Sequence, residues 1–456
     1  MLIHRCWMQE PGMAQESLIG IPQDSAALVV DGQQALALRL ALIRSARHSL
    51  VAQYYSWEED LSGKLLLGAL IEAARRGVKV RLLVDDLYSG HNRYLESLAA
   101  EPNIKVRIFN PFWLRLGRPW LWPLEIVLSF RRLNHRMHNK LLVVDDNWAM
   151  VGGRNIGDGY FALPGAEHHF VDLDLLLQGP VCGELVKGFI AYWRGRWSHV
   201  GHRLSWFRVP TAIAEQNNDF LLALLEPEVA ELFGLGAHLF EACMGQLHWH
   251  PVRTRVVMDP PGKGLKLRWH PSAATRSLLS CMKGLHHSLQ IVTPYLVPTR
   301  PLYRALRRLK RQGVAITVVT NSLASTDMAL AYAGYWHRQK RLLQQGAVHE
   351  LKPQGVRALH AKVALLDERA VLVGSLNLDP RSFYLNTEIA LLLEGEALAG
   401  EVGHWLASLC SQSQSWPLTL QQGVVQWGEA SAPPATSVWR RCWVWLAGCL
   451  PVHHLL

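Results

Sequence analysis

Two short segments of this sequence share one pattern of residues that can do chemistry. Each has a His, a Lys two residues later and an Asp five residues after the Lys, then a Gly and an Asn: His138, Lys140, Asp145, Gly152 and Asn155 in the first segment, and His360, Lys362, Asp367, Gly374 and Asn377 in the second. Residues two apart on a β-strand face the same way, so each His–Lys pair is predicted to point into one cavity. Chance matches would not keep this order and spacing, so the repeat predicts a duplicated unit.

The paired segments predict a site that handles a phosphate, provided that the two units meet face to face. Lys140 and Lys362 would then supply positive charge, and Asn155 and Asn377 would supply hydrogen-bond donors to the phosphate oxygens. One neutral His can attack phosphorus while the other, protonated, gives a proton to the departing alkoxide. The roles then reverse for an incoming alcohol or water. This scheme requires no metal or other cofactor, and none is expected.

Each His needs a hydrogen bond to its other ring nitrogen, which fixes the tautomer. Alignment of the two segments places Asp172 and Glu388 at matching positions, because each lies seven residues before a Gly. The alignment therefore predicts Asp172 as the partner of His138 and Glu388 as the partner of His360.

Three further positions of the pattern have predicted roles. Ser375 stands where the first segment has Gly153, so a hydroxyl that contacts the phosphate is expected in the second segment alone. Asp145 and Asp367 belong to the repeated pattern, but they directly follow a predicted strand. A role in turns or salt bridges is therefore expected for them rather than direct chemistry.

Composition and charge narrow the class of protein. The chain has 456 residues, of which 49% are hydrophobic and 18% charged, so it is long enough for two or three folded domains. Its net charge of +10 suits a nucleic acid or an anionic membrane surface, and its 18 Trp residues favour the membrane interface. Seven scattered Cys residues without metal-ligand spacing indicate a reducing compartment. Because no stretch approaches the ~20 apolar residues of a membrane span, peripheral attachment is expected.

Helix and strand patterns alternate along the chain. An amphipathic helix is predicted over 24–49, and strands over 50–57, 78–86, 104–109 and 136–145. Five matched segments recur in the same order in the second half, which predicts two α/β units with mainly parallel, mixed sheets covered by helices. The predicted parts are an N-terminal extension (1–24), a first α/β domain (25–205), a helical connector (206–250), a second α/β domain (251–428) and an amphipathic C-terminal tail (429–456).

Two stretches rich in Trp and Arg lie outside the repeat. Residues 111–132 fit either a core-packing helix hairpin or an insertion at a membrane interface, and their Pro and Gly breaks favour the insertion. Residues 438–451 carry three Trp, one directly before and two after Arg440 and Arg441. Their uncharged run is too short to span a bilayer, so the tail is predicted to lie in the membrane plane, with packing on the body as the alternative.

The repeated pattern resembles the paired HxKxxxxD motifs of the phospholipase D superfamily, at 138–145 and 360–367. The resemblance covers roughly 25–430. It implies two α/β/α domains that share one active site at a pseudo-twofold interface, a phosphohistidine intermediate and no metal. Within the superfamily the sequence is most similar to bacterial cardiolipin synthases of the C-type branch, on the stretches 53–57, 152–158, 294–300, 321–324, 377–382 and 434–456.

This resemblance implies transfer of a phosphatidyl group to phosphatidylglycerol, from a donor that is phosphatidylglycerol or phosphatidylethanolamine. It assigns His138 as the nucleophile and His360 as the general acid and base, an order that the symmetric motifs leave open. The two N-terminal spans of the major cardiolipin synthase branch are absent from this sequence, so peripheral attachment to the bacterial inner membrane, on the cytoplasmic face, is expected. The alternative is a phosphodiesterase that hydrolyses phospholipid or nucleic acid. The sequence leaves the oligomeric state and any helper protein open.

Overall fold

The computed structural model describes residues 24–89, 92–112, 125, 128–201, 204, 209–226, 244–263, 271–355 and 357–449. The predicted N-terminal extension up to residue 23, most of the predicted insertion at 111–132, much of the connector and the last seven residues of the tail lie outside this part of the chain.

One 17-stranded sheet runs through both halves of the described chain. Numbered along the sequence and given in spatial order, its strands are β9 (Ser198–Val200), β4 (Ile104–Phe109), β3 (Lys79–Asp85), β2 (Ser49–Tyr54), β5 (Leu141–Val144), β6 (Trp148–Gly152), β8 (Asp174–Gln178), β1 (Asp24–Val29), β10 (Trp249–Met258), β17 (Ile389–Glu394), β16 (Ala370–Gly374), β15 (Val363–Leu366), β11 (Ser288–Val292), β12 (Ala315–Asn321), β13 (Ala347–Leu351), β18 (Ser415–Gln421) and β19 (Val424–Trp427). A separate two-stranded ladder joins β7 (His169–Val171) to β14 (Arg357–Leu359).

The predicted duplication of a mixed α/β unit is confirmed by the strand pairing. In each half three strands are parallel, β2–β3–β4 and β11–β12–β13, and the strands beside them are antiparallel. Within the large sheet, parallel pairing is confined to these strands because a helix joins β2 to β3 and β11 to β12, whereas a tight turn joins β5 to β6 and β15 to β16. Each half also has the same register, with Leu50 opposite Val144 and Leu289 opposite Leu366.

Helices cover both faces of the sheet. The α-helices described are Gly32–Ser45, Leu61–Arg75, Asp86–Ser89, Arg93–Leu98, Phe130–Leu133, Val181–Arg194, Thr211–Ala223, Ala273–Cys281, Arg300–Arg311, Ala329–Trp336, Gln339–Leu343, Pro380–Tyr384, Glu396–Leu409 and Val438–Cys449, with 3₁₀ turns at Asp158–Phe161 and Met282–Gly284. Two of the three apolar cores belong to one half each. The third contains residues of both halves, such as Val143 and Leu365, so a shared core fixes the two halves against each other.

The prediction of a helix over 24–49 is wrong for residues 24–31. Residues 24–29 form β1, and the helix begins only at Gly32, where Asp31 caps it by accepting a hydrogen bond from the backbone N–H of Gln34. β1 lies between β8 and β10 and so joins the two halves into one sheet. A strand that is covered on both faces has a continuous apolar run, which a helix pattern can absorb when the sequence is read alone.

Candidate active site

The segment that carries His138 pairs with the other half of the protein. Met137 forms a parallel β-bridge with Thr387. The N–H of His138 donates to the carbonyl oxygen of Thr387 at 2.9 Å, and the N–H of Thr387 donates to the carbonyl oxygen of Arg136 at 2.8 Å. These bonds place the residue that precedes His138 beside the residue that precedes Glu388.

The segment that carries His360 repeats this arrangement with the roles of the halves exchanged. β14 pairs in parallel with β7, and Leu359 lies opposite Val171. The N–H of His360 donates to the carbonyl oxygen of Val171 at 2.8 Å. The residue that precedes His360 therefore lies beside the residue that precedes Asp172, and the two bridges are related by the pseudo-symmetry of the repeat.

Each histidine consequently receives its carboxylate from the opposite half. Nδ1 of His138 lies 2.9 Å from Oε2 of Glu388, and Nδ1 of His360 lies 2.6 Å from Oδ2 of Asp172. The predicted pairing within each repeat, Asp172 with His138 and Glu388 with His360, is wrong. The physical reason is the register of the two bridges, which places each acidic residue beside the histidine of the other half.

The prediction that His138 and Lys140 lie on a strand is also wrong. Both belong to an extended segment that ends where β5 begins at Leu141, and the backbone of residues 136 and 138 hydrogen-bonds to Thr387 in the other half. Nζ of Lys140 donates to the carbonyl oxygen of His138 at 2.6 Å, and Nζ of Lys362 donates to that of His360. Each lysine thus folds back towards its histidine.

Burial and the two ammonium groups keep the imidazoles neutral. Burial, together with Lys140 and Lys362, lowers the pKa of His138 to about 4 and that of His360 to about 3, against the opposing effect of the carboxylates. Burial alone would raise the pKa of Asp172, but the pairing with His360 lowers it to about 2. An ionised carboxylate accepts the Nδ1 proton of a neutral imidazole, which leaves the Nε2 lone pair available as a nucleophile or base.

The two lysines form a concentrated positive charge. Burial is the largest cause that lowers the pKa of Lys140 well below its usual range, and the charge of Lys362 lowers it further. Burial likewise lowers the pKa of Lys362 to about 8, although Asp172 and Glu388 oppose this effect. An anion bound between the two ammonium groups would stabilise both charged forms, as expected for a phosphate site.

The two asparagines of the pattern are buried beside this site. Nδ2 of Asn155 donates to the hydroxyl of Tyr160 at 2.9 Å. Oδ1 of Asn155 and Oδ1 of Asn377 have no hydrogen-bond partner among the described residues. A buried amide with an unpaired atom calls for a ligand or water, and a carboxamide can turn to offer its NH₂ group to a phosphate oxygen.

Ser375 and Gly153 play different parts around the two carboxylates. The hydroxyl of Ser375 donates to Oε2 of Glu388, and the hydroxyl of Ser382 donates to Oε1 at 2.7 Å, so Ser375 supports the carboxylate instead of pointing to a phosphate. A methyl group at Gly153 would lie 2.1 Å from Oδ1 of Asp172. Because Gly153 has no side chain, it leaves the space that the side chain of Asp172 occupies.

The two motif aspartates lie at the opposite ends of β5 and β15 from the histidines. Asp145 accepts three backbone N–H groups, of residues 47–49, each at 2.8 Å. Asp367 accepts those of residues 286–288, each at 2.9 Å. Partial burial would raise the pKa of Asp145, but these N–H groups lower it. Both aspartates fix the turn before a central strand, which accords with the expected turn role and not with contact to substrate.

Comparison with known proteins adds to this geometry. The family model for the phospholipase D-like domain of cardiolipin synthases matches residues 40–179 and 278–410. Cardiolipin synthase C of Escherichia coli is 38% identical over 92% of this chain and 94% of its own length. The major cardiolipin synthase of Bacillus subtilis is 27% identical over 80% of this chain and 64% of its own length. The chain belongs to the cardiolipin synthase family of the phospholipase D superfamily.

Membership of this family makes the protein a phosphatidyltransferase of the phospholipase D superfamily. The fold agrees: the crystal structure of phosphatidylserine synthase from Haemophilus influenzae superposes with a TM-score of 0.60 at 15% sequence identity, over 84% of this chain and 86% of that one. Among the described residues, no helix is both long enough and apolar enough to cross a membrane.

Aromatic side chains that flank the histidines in this family member escaped sequence reasoning. The ring of Tyr55 meets His138 edge to face at a centroid distance of 4.9 Å. Tyr160 and Phe170 lie at 5.1 and 5.3 Å from His360. These rings remove water from the imidazoles and contribute to the burial that lowers their pKa. The position of Tyr55 directly after β2 was the available signal.

Two further residues hold the histidine segments from the ends of matched strands. Oδ2 of Asp85, at the end of β3, accepts the N–H of Met137 at 2.9 Å, and Oδ1 accepts from Arg136 at 3.2 Å. Asn321, at the end of β12, exchanges two hydrogen bonds of 2.8 Å with the backbone of Leu359. A charged pair thus positions one histidine and a neutral amide positions the other, a difference visible in the aligned sequence as Asp against Asn.

Proposed function

We propose that this protein is a cardiolipin synthase that transfers a phosphatidyl group from a donor phospholipid to phosphatidylglycerol through a phosphohistidine intermediate. The observation that carries the proposal is the exchanged pairing of His138 with Glu388 and of His360 with Asp172, beside two buried lysines. Two neutral imidazoles with oriented Nε2 atoms around one positive site suit in-line displacement at a phosphodiester. Cardiolipin synthase C of Escherichia coli, similar over nearly the whole chain, supports the same reaction.

In the first step Nε2 of His138 attacks phosphorus, a P–N bond forms and the bond from phosphorus to the donor headgroup oxygen breaks. His360, which a bound phosphodiester anion helps to protonate by offsetting the two ammonium charges, gives its proton to the departing alkoxide. In the second step Nε2 of His360 takes the proton of a glycerol hydroxyl of phosphatidylglycerol. That oxygen attacks phosphorus, the P–N bond breaks, His138 returns to its neutral form and His360 is again protonated, as it was before the first step.

The carboxylate charge that acts on Lys362 favours phosphatidylethanolamine as the donor. The carboxylate of Asp327 accepts a hydrogen bond from the hydroxyl of Tyr295 at 2.8 Å. Its charge acts on Lys362, whose pKa it raises against the effect of burial. A carboxylate and an aromatic ring at this place suit the ammonium group of departing ethanolamine. The departing alcohol lies on the side of the acid, so this arrangement supports His360 as the acid and His138 as the nucleophile.

The proposal is tested by expressing the protein in cells that lack cardiolipin and analysing the lipid extract. Cardiolipin is expected with the native chain, and none with His138→Ala or His360→Ala. Purified protein with headgroup-labelled donors would then distinguish released ethanolamine from released glycerol. Phosphatidic acid as the sole product, or cleavage of nucleic acid without action on lipid, would instead support the phosphodiesterase. We place the protein at the cytoplasmic face of the inner membrane, and fractionation of the same cells tests that position.

A further inference from the structure

The positive charge of the chain is concentrated in one part of the second half. Residues 260–349 contain fourteen Lys and Arg and one acidic residue, Asp327, so their net charge of +13 exceeds the +10 of the whole chain. The helix Arg300–Arg311 buries Leu302, Leu306 and Leu309. Its exposed basic residues are Arg300, Arg304, Arg307, Lys310 and Arg311. Within the described part of the chain, none of these five forms an ion pair within 4.0 Å.

The C-terminal helix Val438–Cys449 presents an apolar aromatic side to solvent. Val444 and Ala447 are buried in the core that also contains Tyr332 and Ala333. The opposite side exposes Trp439 at 85%, Trp443 at 51%, Trp445 at 52% and Leu446 at 59%. Exposed Trp residues in such a cluster mark a surface that contacts something apolar on one side and wet on the other.

Close packing fixes this helix to the body of the protein. A methyl group at Gly448 would lie 2.7 Å from the carbonyl oxygen of Ala333, so Gly448 permits the close approach to the helix Ala329–Trp336. Nε2 of His337 lies 3.2 Å from the carbonyl oxygen of Trp445. The alternative of packing on the body is therefore confirmed for one side of this helix. Its aromatic side is uncovered by the described residues, and its position in a membrane plane stays a prediction.

The basic helix Arg300–Arg311 and the aromatic helix Val438–Cys449 both contact the segment 329–338. The hydroxyl of Tyr303, on the basic helix, donates to the carbonyl oxygen of Arg338 at 3.3 Å. Arg338 follows the helix Ala329–Trp336, on which the C-terminal helix packs, and Lys340 and Arg341 continue the basic surface. The helix Ala329–Trp336 and the residues directly after it thus connect the basic surface to the exposed Trp residues.

The same surface borders the active site. A guanidinium nitrogen of Arg440 donates to the carbonyl oxygen of Thr326 at 3.3 Å. The next residue, Asp327, accepts from Tyr295 and acts on the charge of Lys362. Met328, which follows, is 39% exposed. Residues 326–328 therefore connect the C-terminal helix to the surroundings of Lys362, whose ammonium group contacts His360.

We infer that the exposed sides of the helices 300–311 and 438–449, with residues 326–328 between the aromatic helix and the site, form a docking face for an anionic phospholipid bilayer. The Trp side chains lie at headgroup level and the Arg and Lys side chains contact lipid phosphates. This inference deepens the proposed function, because it brings the His360 side of the site to the surface in which both lipid substrates lie. The concentration of positive charge favours an anionic surface, and the exposed Trp residues favour a bilayer over nucleic acid.

Flotation with vesicles tests the docking face, using phosphatidylglycerol-containing and pure phosphatidylcholine vesicles. The triple variant Arg304→Gln, Arg307→Gln and Arg311→Gln is expected to weaken binding to the anionic vesicles by about a hundredfold and to reduce its salt dependence. Trp439→Ser with Trp443→Ser is expected to weaken binding to both vesicle types. The matched control, Lys105→Gln with Lys187→Gln and Arg194→Gln, removes three exposed charges from the first half and is expected to bind as the native chain does.

Turnover of a short-chain phospholipid below its micelle concentration reports on the site independently, and all three variants are expected to retain it. Native-like vesicle binding by both the Arg and the Trp variants, or equal loss in the control, would overturn the docking face. Binding of the basic helix to nucleic acid without binding to vesicles would overturn it too. If no lipid is turned over but the binding pattern holds, the docking face stands and the proposed function fails.

Discussion

Nδ1 of His138 lies 2.9 Å from a carboxylate oxygen of Glu388, a residue 250 positions away in the other half of the chain. The pseudo-symmetric bond from His360 to Asp172 crosses the interface in the opposite direction. Neither half therefore contains a complete histidine–carboxylate pair. Docking of the two halves is what creates both, and each half has to be folded before either imidazole has its tautomer fixed.

Replacement of Glu388 by Gln is expected to reduce kcat of phosphatidyl transfer by about 10²–10⁴-fold, because the amide can present the wrong group to Nδ1 and cannot stabilise an imidazolium. Ring ¹⁵N spectra are expected to change for His138 while those of His360 stay constant. Asp172→Asn should show the reverse. A change in His360 on substitution of Glu388 would mean that the pairing lies within each repeat. Thr387→Ser, which keeps the neighbouring backbone bridge, serves as the control.

Stability is expected to fall on acidification. His138 has a folded-state pKa of about 4 against an ordinary value of 6.5, so the unfolded chain takes up its proton first as the pH falls. The contribution of His138 to the free energy of unfolding is therefore fully present above pH 6.5. It decreases as the pH falls towards 4, and roughly 3 kcal/mol is lost over this range. Urea unfolding at several pH values measures the slope, and His138→Gln should remove its share. An unchanged slope in that variant would contradict the depressed pKa.

Gly153 beside Asp172 and Ser375 beside Glu388 occupy matching positions of the two repeats, so substituting each by the other residue gives a matched pair of variants. Gly153→Ser would push a side-chain carbon against Asp172, at 2.1 Å from Oδ1, so a loss of about 1–3 kcal/mol in stability and a large loss of activity are expected. Ser375→Gly removes one hydrogen bond to Glu388 and should cost about tenfold in kcat. Differential scanning calorimetry and transfer assays separate the effects. Equal consequences for the two variants would show that the positions are equivalent.

Asp367→Asn is expected to affect stability more than catalysis. The carboxylate accepts three backbone N–H groups of residues 286–288, so its replacement should lower the free energy of unfolding by about 1–3 kcal/mol. Lys362→Gln, five residues away, should lose kcat instead, since its ammonium lies at the site. Unfolding curves and kcat at low temperature measure the two quantities. A catalytic loss in Asp367→Asn as large as that in Lys362→Gln would place the aspartate in the chemistry.

Transfer is expected to continue in the presence of a strong chelator, because Lys140 and Lys362 already supply positive charge for a phosphodiester. Phosphatidyl transfer is measured with and without the chelator at constant ionic strength. A loss of activity that added divalent ion restores would show that a metal takes part.

The sequence by itself determined the composition of the site and the class of fold. His138, Lys140, His360 and Lys362 were found because the motif spacing is local and occurs twice, and the α/β alternation followed from local apolar patterns. The same reasoning placed Asp145 and Asp367 in turns, because they directly follow a strand. Asp172 and Glu388 were also found, since repeat alignment preserves position within each half.

Only the tertiary structure decided how these residues meet. The pairing of Glu388 with His138, the insertion of β1 between the halves and the extended segment at His138 all depend on hydrogen bonds to distant parts of the chain. Such bonds leave no periodic signal near either partner, so alignment of the repeats gave the right acids and the wrong partners. Spacing along the chain reports which side chains share a segment, whereas the pseudo-twofold interface decides which side chains share a site.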